Sequence, residues 1–292
     1  MDDVFTGTGV ALVTPFKANN AIDYDALSSV VEHVIEGGVE FLVALGTTGE
    51  YVTLSREERE LVVKHIIKQS NGRVPVVVGM GGNNTSAVLD KINQTDFEGI
   101  AGILSVAPYY NKPSQQGLYE HFSEIAMISP RPVILYNVPG RTASNIASET
   151  VVKLANDHSN IVAVKEASGD MGQIMQIIKN APAHFHVISG DDALTLPMIH
   201  LGGKGVISVI ANSHPTEYSS MARAALNREC RKANELHYKL LDLIGAFFEE
   251  GSPAGVKAAL EILGICSGRV RLPLTEASDS LKKKIRRLMQ QI

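Results

Sequence analysis

Eight short runs of near-continuous apolar residues, spread over the first 212 residues, constrain the fold more than any other feature of this 292-residue chain. They are "GTGVALVTPF" (7–16), "VEFLVALG" (39–46), "VPVVVGMG" (74–81), "AGILSVAP" (101–108), "PVILYNVPG" (132–140), "NIVAVKEA" (160–167), "HFHVISGD" (184–191) and "GVISVIAN" (205–212). Strands that are apolar along their whole length are covered on both faces, as in parallel sheets flanked by helices. The stretches between them read as amphipathic helices. One of these, "SREERELVVKHIIKQS" (55–70), opens with a capping box made by Ser55 and Glu58. Eight buried strands alternating with helices predict an α/β fold of the parallel (β/α)8 TIM-barrel type. An open doubly wound sheet is the competitor, but no strand–GxGxxG–helix unit is present; "GMGGNN" (79–84) has the wrong spacing.

From His214 onward the strand signal stops. "PTEYSSMARAALNREC", "NELHYKLLDLIGAFFEE" and "SPAGVKAALEILG" read as helices, the last with Ser252 at the N-cap and Pro253 in the first turn. Residues 1–213 are thus expected to hold the barrel strands and the catalytic face. Residues 214–292 would supply the last barrel helix and a C-terminal helical appendage. In the basic "LKKKIRRLM", Leu281, Ile285, Leu288 and Ile292 recur at helical spacing, so the charges form the solvated face of a final helix.

The net charge of −4 offers no surplus of cations to neutralise phosphates, so nucleic acid is not the expected partner. Two distant cysteines, Cys230 and Cys266, form neither a disulfide framework nor a zinc pattern and fit a reducing compartment. The N-terminus lacks the basic and apolar regions of a signal peptide, and no apolar run approaches the ~20 residues that span a bilayer. A cytoplasmic protein is expected.

Catalytic groups of such barrels lie at the C-terminal ends of the strands. Here those ends carry "GTTGE" (46–50), "PYYNKPS" (108–114), "YNVPGRT" (136–142), Lys165 and "SGDD" (189–192). Side-chain alternation puts Ile161, Ala163 and Lys165 on one face, and Ile134 with Tyr136 on another. If these faces form the lumen, Lys165 and Tyr136 meet at the top of the barrel. Lys165 could instead snorkel from a strand end into solvent. Against that stand the hydroxyls converging on the same rim: Thr47, Thr48, Tyr110 and Tyr136. No HExxH, GxSxG or carboxylate pair at metal-ligand spacing accompanies them. A lysine among hydroxyls suits an imine-forming enzyme, whose amine must be unprotonated, a state that an apolar barrel mouth favours. Asp191 and Asp192 are expected to cap the following helix. They also put negative charge where many barrels bind phosphate, which argues against a phosphorylated substrate.

Taken together and in order, "GTTGE", "PYYNKPSQQGLYEHF", "YNVPGRT", "VAVKEASGD" and "SGDD" resemble the dihydrodipicolinate synthase family of pyruvate-dependent Schiff-base aldolases, over nearly the whole chain. The resemblance implies condensation of pyruvate with L-aspartate 4-semialdehyde, early in diaminopimelate and lysine biosynthesis, with no cofactor beyond the covalent imine. It makes Lys165 the imine-forming residue and Tyr136 the proton donor and acceptor, linked through Thr48 to a Tyr110 contributed by a neighbouring subunit. Thr47 and Thr48 would hold the pyruvate carboxylate, Arg141 the carboxylate of the semialdehyde, and Gly190 and Ile207 would line the site through their backbone. A homotetramer built as a dimer of dimers is implied, with Tyr110 shared across the tight dimer. Tyr109, Tyr110 and Arg141 also have plainer readings, as packing aromatics at a subunit contact and an exposed loop arginine.

The chain departs from lysine-inhibited members of the family. Arg56 and Arg59 stand where histidines are found, and Ala87 where a glutamate would bind the ligand's amine, while Asn83 and Tyr109 remain. Weak or absent lysine feedback is expected. The nearest rivals are N-acetylneuraminate lyase and 2-keto-3-deoxy-sugar-acid aldolases, which as a family pattern lack the arginine of "YNVPGRT". A non-catalytic barrel that binds a keto acid is the rival from another class, and it would need no reactive amine.

Overall fold

The structure is a computed structural model describing residues 4–292. Its eight strands are β1 (Gly7–Ala11), β2 (Phe41–Ala44), β3 (Val76–Gly79), β4 (Ile100–Val106), β5 (Val133–Asn137), β6 (Ile161–Glu166), β7 (His186–Ser189) and β8 (Gly205–Ser208). All pair in parallel, each with its sequence neighbours, and β8 returns to β1 to close the barrel. Each predicted apolar run coincides with one strand, β4 starting one residue ahead of its run. The strands are shorter than the runs, because the run ends turn into the loops at the rim of the barrel.

The helices between strands are α1 (Tyr24–Glu36), α2 (Arg56–Ser70), α3 (Thr85–Asn93), α4 (Gln115–Ile128), a short α5 (Pro139–Thr142), α6 (Ser148–Asp157), α7 (Met171–Asn180) and α8 (Thr195–His200). The α2 capping box forms as expected: the Ser55 hydroxyl accepts from the Glu58 N–H, and the Glu58 carboxylate accepts from the Ser55 N–H. After β8 come α9 (Pro215–Leu226), α10 (Cys230–Ala246), α11 (Ala254–Ile262) and α12 (Asp279–Met289). The start of α11 differs by one residue from the expected cap: Pro253 occupies the N-cap position and Ser252 makes no capping bond. In α12, Leu281, Ile285 and Leu288 are buried under the solvated lysines and arginines.

Two apolar layers follow from strand alternation. Inward-facing Phe41, Val77, Leu104, Ile134, Ala163 and Ile188 fill the lumen. Outward-facing residues such as Leu42, Val78, Leu135 and Val164 pack beneath the helices. In β6 the alternation is interrupted. Val133 pairs with Ile161, but Ile134 pairs with Ala163, so Val162 is an extra residue. The single face expected for Ile161, Ala163 and Lys165 therefore breaks at a bulge. Ile161 packs outward among the helices, whereas Ala163 faces the lumen and Val162 packs against it. Above the bulge the register is regular, and Lys165 keeps its inward direction.

Candidate active site

Lys165 and Tyr136 are direct register partners on β6 and β5, on the lumen side of both strands. Partners on one face of a sheet have adjacent side chains, and the Lys165 ammonium stands 4.3 Å from the centre of the Tyr136 ring. Lys165 is only 5% exposed, and no carboxylate pairs with it among the described residues. It does not snorkel into solvent. Its Nζ lies at the base of a cavity of about 450 Å³ that opens at the C-terminal ends of the strands.

The wall opposite is a single 3₁₀ turn, Thr47–Gly49, following β2. Thr47 and Thr48 line the cavity, and the first N–H groups of a helical turn have no acceptor within it. The turn is fixed from behind. The Thr14 hydroxyl donates to the Gly49 carbonyl at 2.7 Å. Glu50, in left-handed backbone at φ 53°, closes the turn through its N–H to the Thr47 carbonyl. The Glu50 side chain turns away from the cavity to meet Lys257 of α11 at 2.5 Å, both fully buried.

Gly190, at the end of β7, has a steric role as well. A Cβ there would stand 2.8 Å from Ala167 Cβ and 3.0 Å from Lys165 Cε. Any larger residue there would crowd the lysine stem. Ile207 is buried in the lumen on β8, below the cavity lining. Arg141, in α5, is exposed at the mouth of the cavity, and no carboxylate pairs with its guanidinium among the described residues.

Behind Lys165, Glu166 points to the other face of β6. It accepts from Asn137 Nδ2 at 2.5 Å, from Gln173 Nε2 at 2.9 Å and from the Ser168 hydroxyl at 2.5 Å. This buried network locks the strand end that carries the lysine. The expected capping by Asp191 and Asp192 is corrected, because α8 begins at Thr195 with no side-chain cap. Asp192 is buried and accepts from the N–H groups of Val209 and Ile210 at 3.0 and 2.9 Å, tying the β7 end to the β8 end. Burial pushes its carboxyl up. Asp191 caps its own turn at the Ala193 N–H and faces the cavity.

The structure brings Thr47, Thr48, Tyr136, Arg141, Lys165 and Gly190 around one space. It does not bring Tyr110 there. That tyrosine is 89% exposed and held in left-handed backbone at φ 72°, a conformation rare for a bulky residue. The neighbouring Tyr51 does line the cavity, and burial together with the Tyr109 hydroxyl pushes its phenol up to about 12.

One part of the site had not been expected. Leu241, Ile244, Gly245 and the adjoining Phe248 bring the α10 segment over the cavity as an apolar roof. Its trace in the sequence is a second apolar stripe, at 241, 244 and 248, beside the core stripe of Leu240, Leu243 and Phe247. Among the described residues no cluster of His, Cys, Asp or Glu could hold a metal, and no helix is long and apolar enough to cross a membrane.

Comparison with known proteins gives concordant results. The model of the dihydrodipicolinate synthetase family matches residues 4–292. The 4-hydroxy-tetrahydrodipicolinate synthase of Flavobacterium psychrophilum is 52% identical over 281 residues, covering 96% of each chain. That of Parabacteroides distasonis is 46% identical over 286 residues, covering 98% of this chain and 96% of the relative. Among solved structures, dihydrodipicolinate synthase from Aquifex aeolicus superposes with a TM-score of 0.94 at 44% identity, covering 98% of this chain and 97% of that one. A monomeric dihydrodipicolinate synthase variant gives 0.96 at 38% identity, covering 99% and 97%.

Proposed function

The chain belongs to the dihydrodipicolinate synthetase family, and from that premise we propose how its cavity joins pyruvate to L-aspartate 4-semialdehyde as a 4-hydroxy-tetrahydrodipicolinate synthase. The observation that carries the mechanism is the pairing of Lys165 with Tyr136 at the base of the cavity, facing the Thr47–Gly49 turn.

The Lys165 amine attacks the pyruvate ketone, and water leaves as the imine forms. The protonated imine draws electrons from the neighbouring methyl carbon, which loses a proton and becomes an enamine. Tyr136, beside the lysine, is placed to pass these protons. The hydroxyls and N–H groups of Thr47 and Thr48 hold the pyruvate carboxylate. The enamine carbon attacks the aldehyde of the second substrate, whose own amine then displaces Lys165 and closes the ring. No cofactor is needed.

Arg141 offers at the mouth a guanidinium fork with no carboxylate partner among the described residues, suited to the carboxylate of the semialdehyde. Arg141→Met is expected to raise KM for the semialdehyde by about 10- to 100-fold, the worth of a charge-assisted pair. Trapping of pyruvate by borohydride should be unchanged. Steady-state kinetics with each substrate varied in turn will show whether the loss falls on the semialdehyde alone; an equal loss for pyruvate would remove Arg141 from this role.

The activity itself is tested by following consumption of pyruvate and L-aspartate 4-semialdehyde by NMR. N-acetylneuraminate and a 2-keto-3-deoxy sugar acid serve as competing substrates for cleavage. Joint consumption of the first pair with no cleavage of the others supports the synthase; preferential cleavage of either sugar acid would replace it.

Tyr110 is the proton-relay partner of Thr48 in this proposal, supplied by a second copy of the chain across a tight dimer, with two dimers forming a tetramer. Its exposure and strained backbone support that role, since strain of this kind persists where function requires it. A cytoplasmic site of action fits the chemistry. Arg56, Arg59 and Ala87 line a second cavity, and two guanidinium groups oppose a cationic amino acid. Lysine is therefore expected to leave the rate unchanged up to millimolar concentration, and inhibition below that in an initial-rate assay would refute this.

A further inference from the structure

Neither backbone geometry nor packing accounts for Gly245. It lies in the last turn of the 17-residue α10, and its φ is outside the left-handed region. A Cβ built on it would meet no atom within 4 Å. Gly255 of α11 shows the contrast: a Cβ there would stand 2.5 Å from the Phe247 backbone, so the close approach of the chain requires it. Glycine within a helix is destabilising relative to alanine, and no close contact offsets that at position 245.

The place of the residue supplies a reason. Leu241, Gly245 and Phe248 stand at i, i+4 and i+7, in one row on the side of α10 and its end that roofs the catalytic cavity. The row has side chains at both ends and a gap in the middle. Of the described residues that line the cavity, only Arg141, Gly245 and Phe248 are exposed, so these three frame its mouth. The roof is anchored. Leu243 and Phe247 are buried in the core, and Glu250 accepts from the Ser278 N–H at 2.8 Å and the Ser278 hydroxyl at 2.5 Å.

We propose that Gly245 is a specificity-determining residue: its gap receives the carbon chain of the acceptor aldehyde while Arg141 takes the carboxylate. The size of residue 245 then sets how large an acceptor reaches the enamine. This inference rests on the condensation proposed above and adds to it the position that admits the second substrate. Lys165 and Tyr136 are buried at the base of the cavity, away from its exposed mouth, so formation of the pyruvate imine does not depend on the gap. A pocket discriminates by about 10- to 200-fold for a single misplaced methylene.

The test compares Gly245→Ala, Gly245→Leu and Gly245→Phe with wild type by two NMR readouts. Loss of the pyruvate methyl signal in heavy water reports the imine and enamine alone, and consumption of L-aspartate 4-semialdehyde reports the condensation. kcat/KM for the semialdehyde should fall stepwise with side-chain size, by about tenfold or more in Gly245→Phe, while methyl exchange keeps its wild-type rate. Gly245→Ala should unfold about 2 °C above wild type, as alanine does in open space on a helix; a lowered midpoint would show the space to be filled and overturn the premise. If Gly245→Phe fails to fold, Gly245→Leu carries the comparison. Equal semialdehyde kinetics across the series, or a parallel fall in exchange and condensation, would overturn this inference alone. Wild type that exchanges pyruvate protons but consumes no semialdehyde would overturn it together with the function on which it rests.

Discussion

Lys165→Ala is expected to lower kcat by about 10⁴-fold or more, because in the proposed mechanism it removes the atom on which the covalent intermediate forms. The accompanying mass experiment is more informative than the rate. Wild type treated with borohydride in the presence of pyruvate should gain a reduced pyruvyl increment on Lys165, and without pyruvate it should gain nothing. Lys165→Ala should gain nothing in either case. The variant is expected to fold, since alanine deletes a side chain that has no ion pair among the described residues and leaves the Glu166 network behind it intact. Gly190 gives a second handle on the same chemistry: a methyl group there would press on Lys165 Cε at 3.0 Å, so Gly190→Ala disturbs the lysine without deleting it. An increment that survives in Lys165→Ala would move the imine to another amine and dismantle the mechanism.

The largest expected loss of stability is at Lys257. Its ammonium and the Glu50 carboxylate are both fully buried and 2.5 Å apart. Lys257 also donates to the Arg269 carbonyl at 2.7 Å, and the second Glu50 oxygen accepts from the Arg271 N–H at 2.9 Å. The Phe16 ring lies beneath both Lys257 and Arg271, at 4.3 and 4.5 Å. Removing one member of such a pair leaves the other as an uncompensated buried charge, at a cost of about 3–5 kcal/mol. At this chain length that corresponds to a fall in unfolding midpoint of about 10 °C in Lys257→Met. Glu50→Gln combined with Lys257→Met should lose clearly less than the two single changes added together, because neither charge is then stranded. A midpoint for Lys257→Met within about 2 °C of wild type would show that water reaches the pair and solvates the charge left behind. Because Glu50 closes the turn that carries Thr47 and Thr48, kcat should fall with stability.

The barrel was legible in the sequence because its signal is coarse. Strands covered on both faces are apolar at every position, and eight such runs leave few alternatives. Lys165 was legible for a related reason, as the first charge after the unbroken apolar stretch Ile161–Val164. The bulge at Val162 was not, because in a run where both faces are apolar one inserted residue changes no pattern. Asp192 was misplaced by a local rule. An aspartate after a strand commonly caps the next helix, but here the unpaired N–H groups of Val209 and Ile210, from another part of the chain, are its partners. The α10 roof and the Glu50–Lys257 pair depend on how the C-terminal helices dock, which spacing along the chain does not encode. The exposed Tyr110 marks a different limit, since no described residue of this chain covers it.

The Glu50–Lys257 pair joins residues 207 positions apart, and this bears on when, during synthesis, the protein becomes competent. A ribosome that has made the first 250 residues has already released Lys165, Tyr136, Thr48 and Arg141, and all eight strands could have closed. Yet at that moment Glu50 has no ammonium to meet, and Arg271 has not been made. The turn presenting Thr47 and Thr48 would rest on a carboxylate drawn toward water. The groups made in the first two-thirds of the message would thus wait for its final portion, and premature termination near the end is expected to leave the Thr47–Gly49 turn without its support.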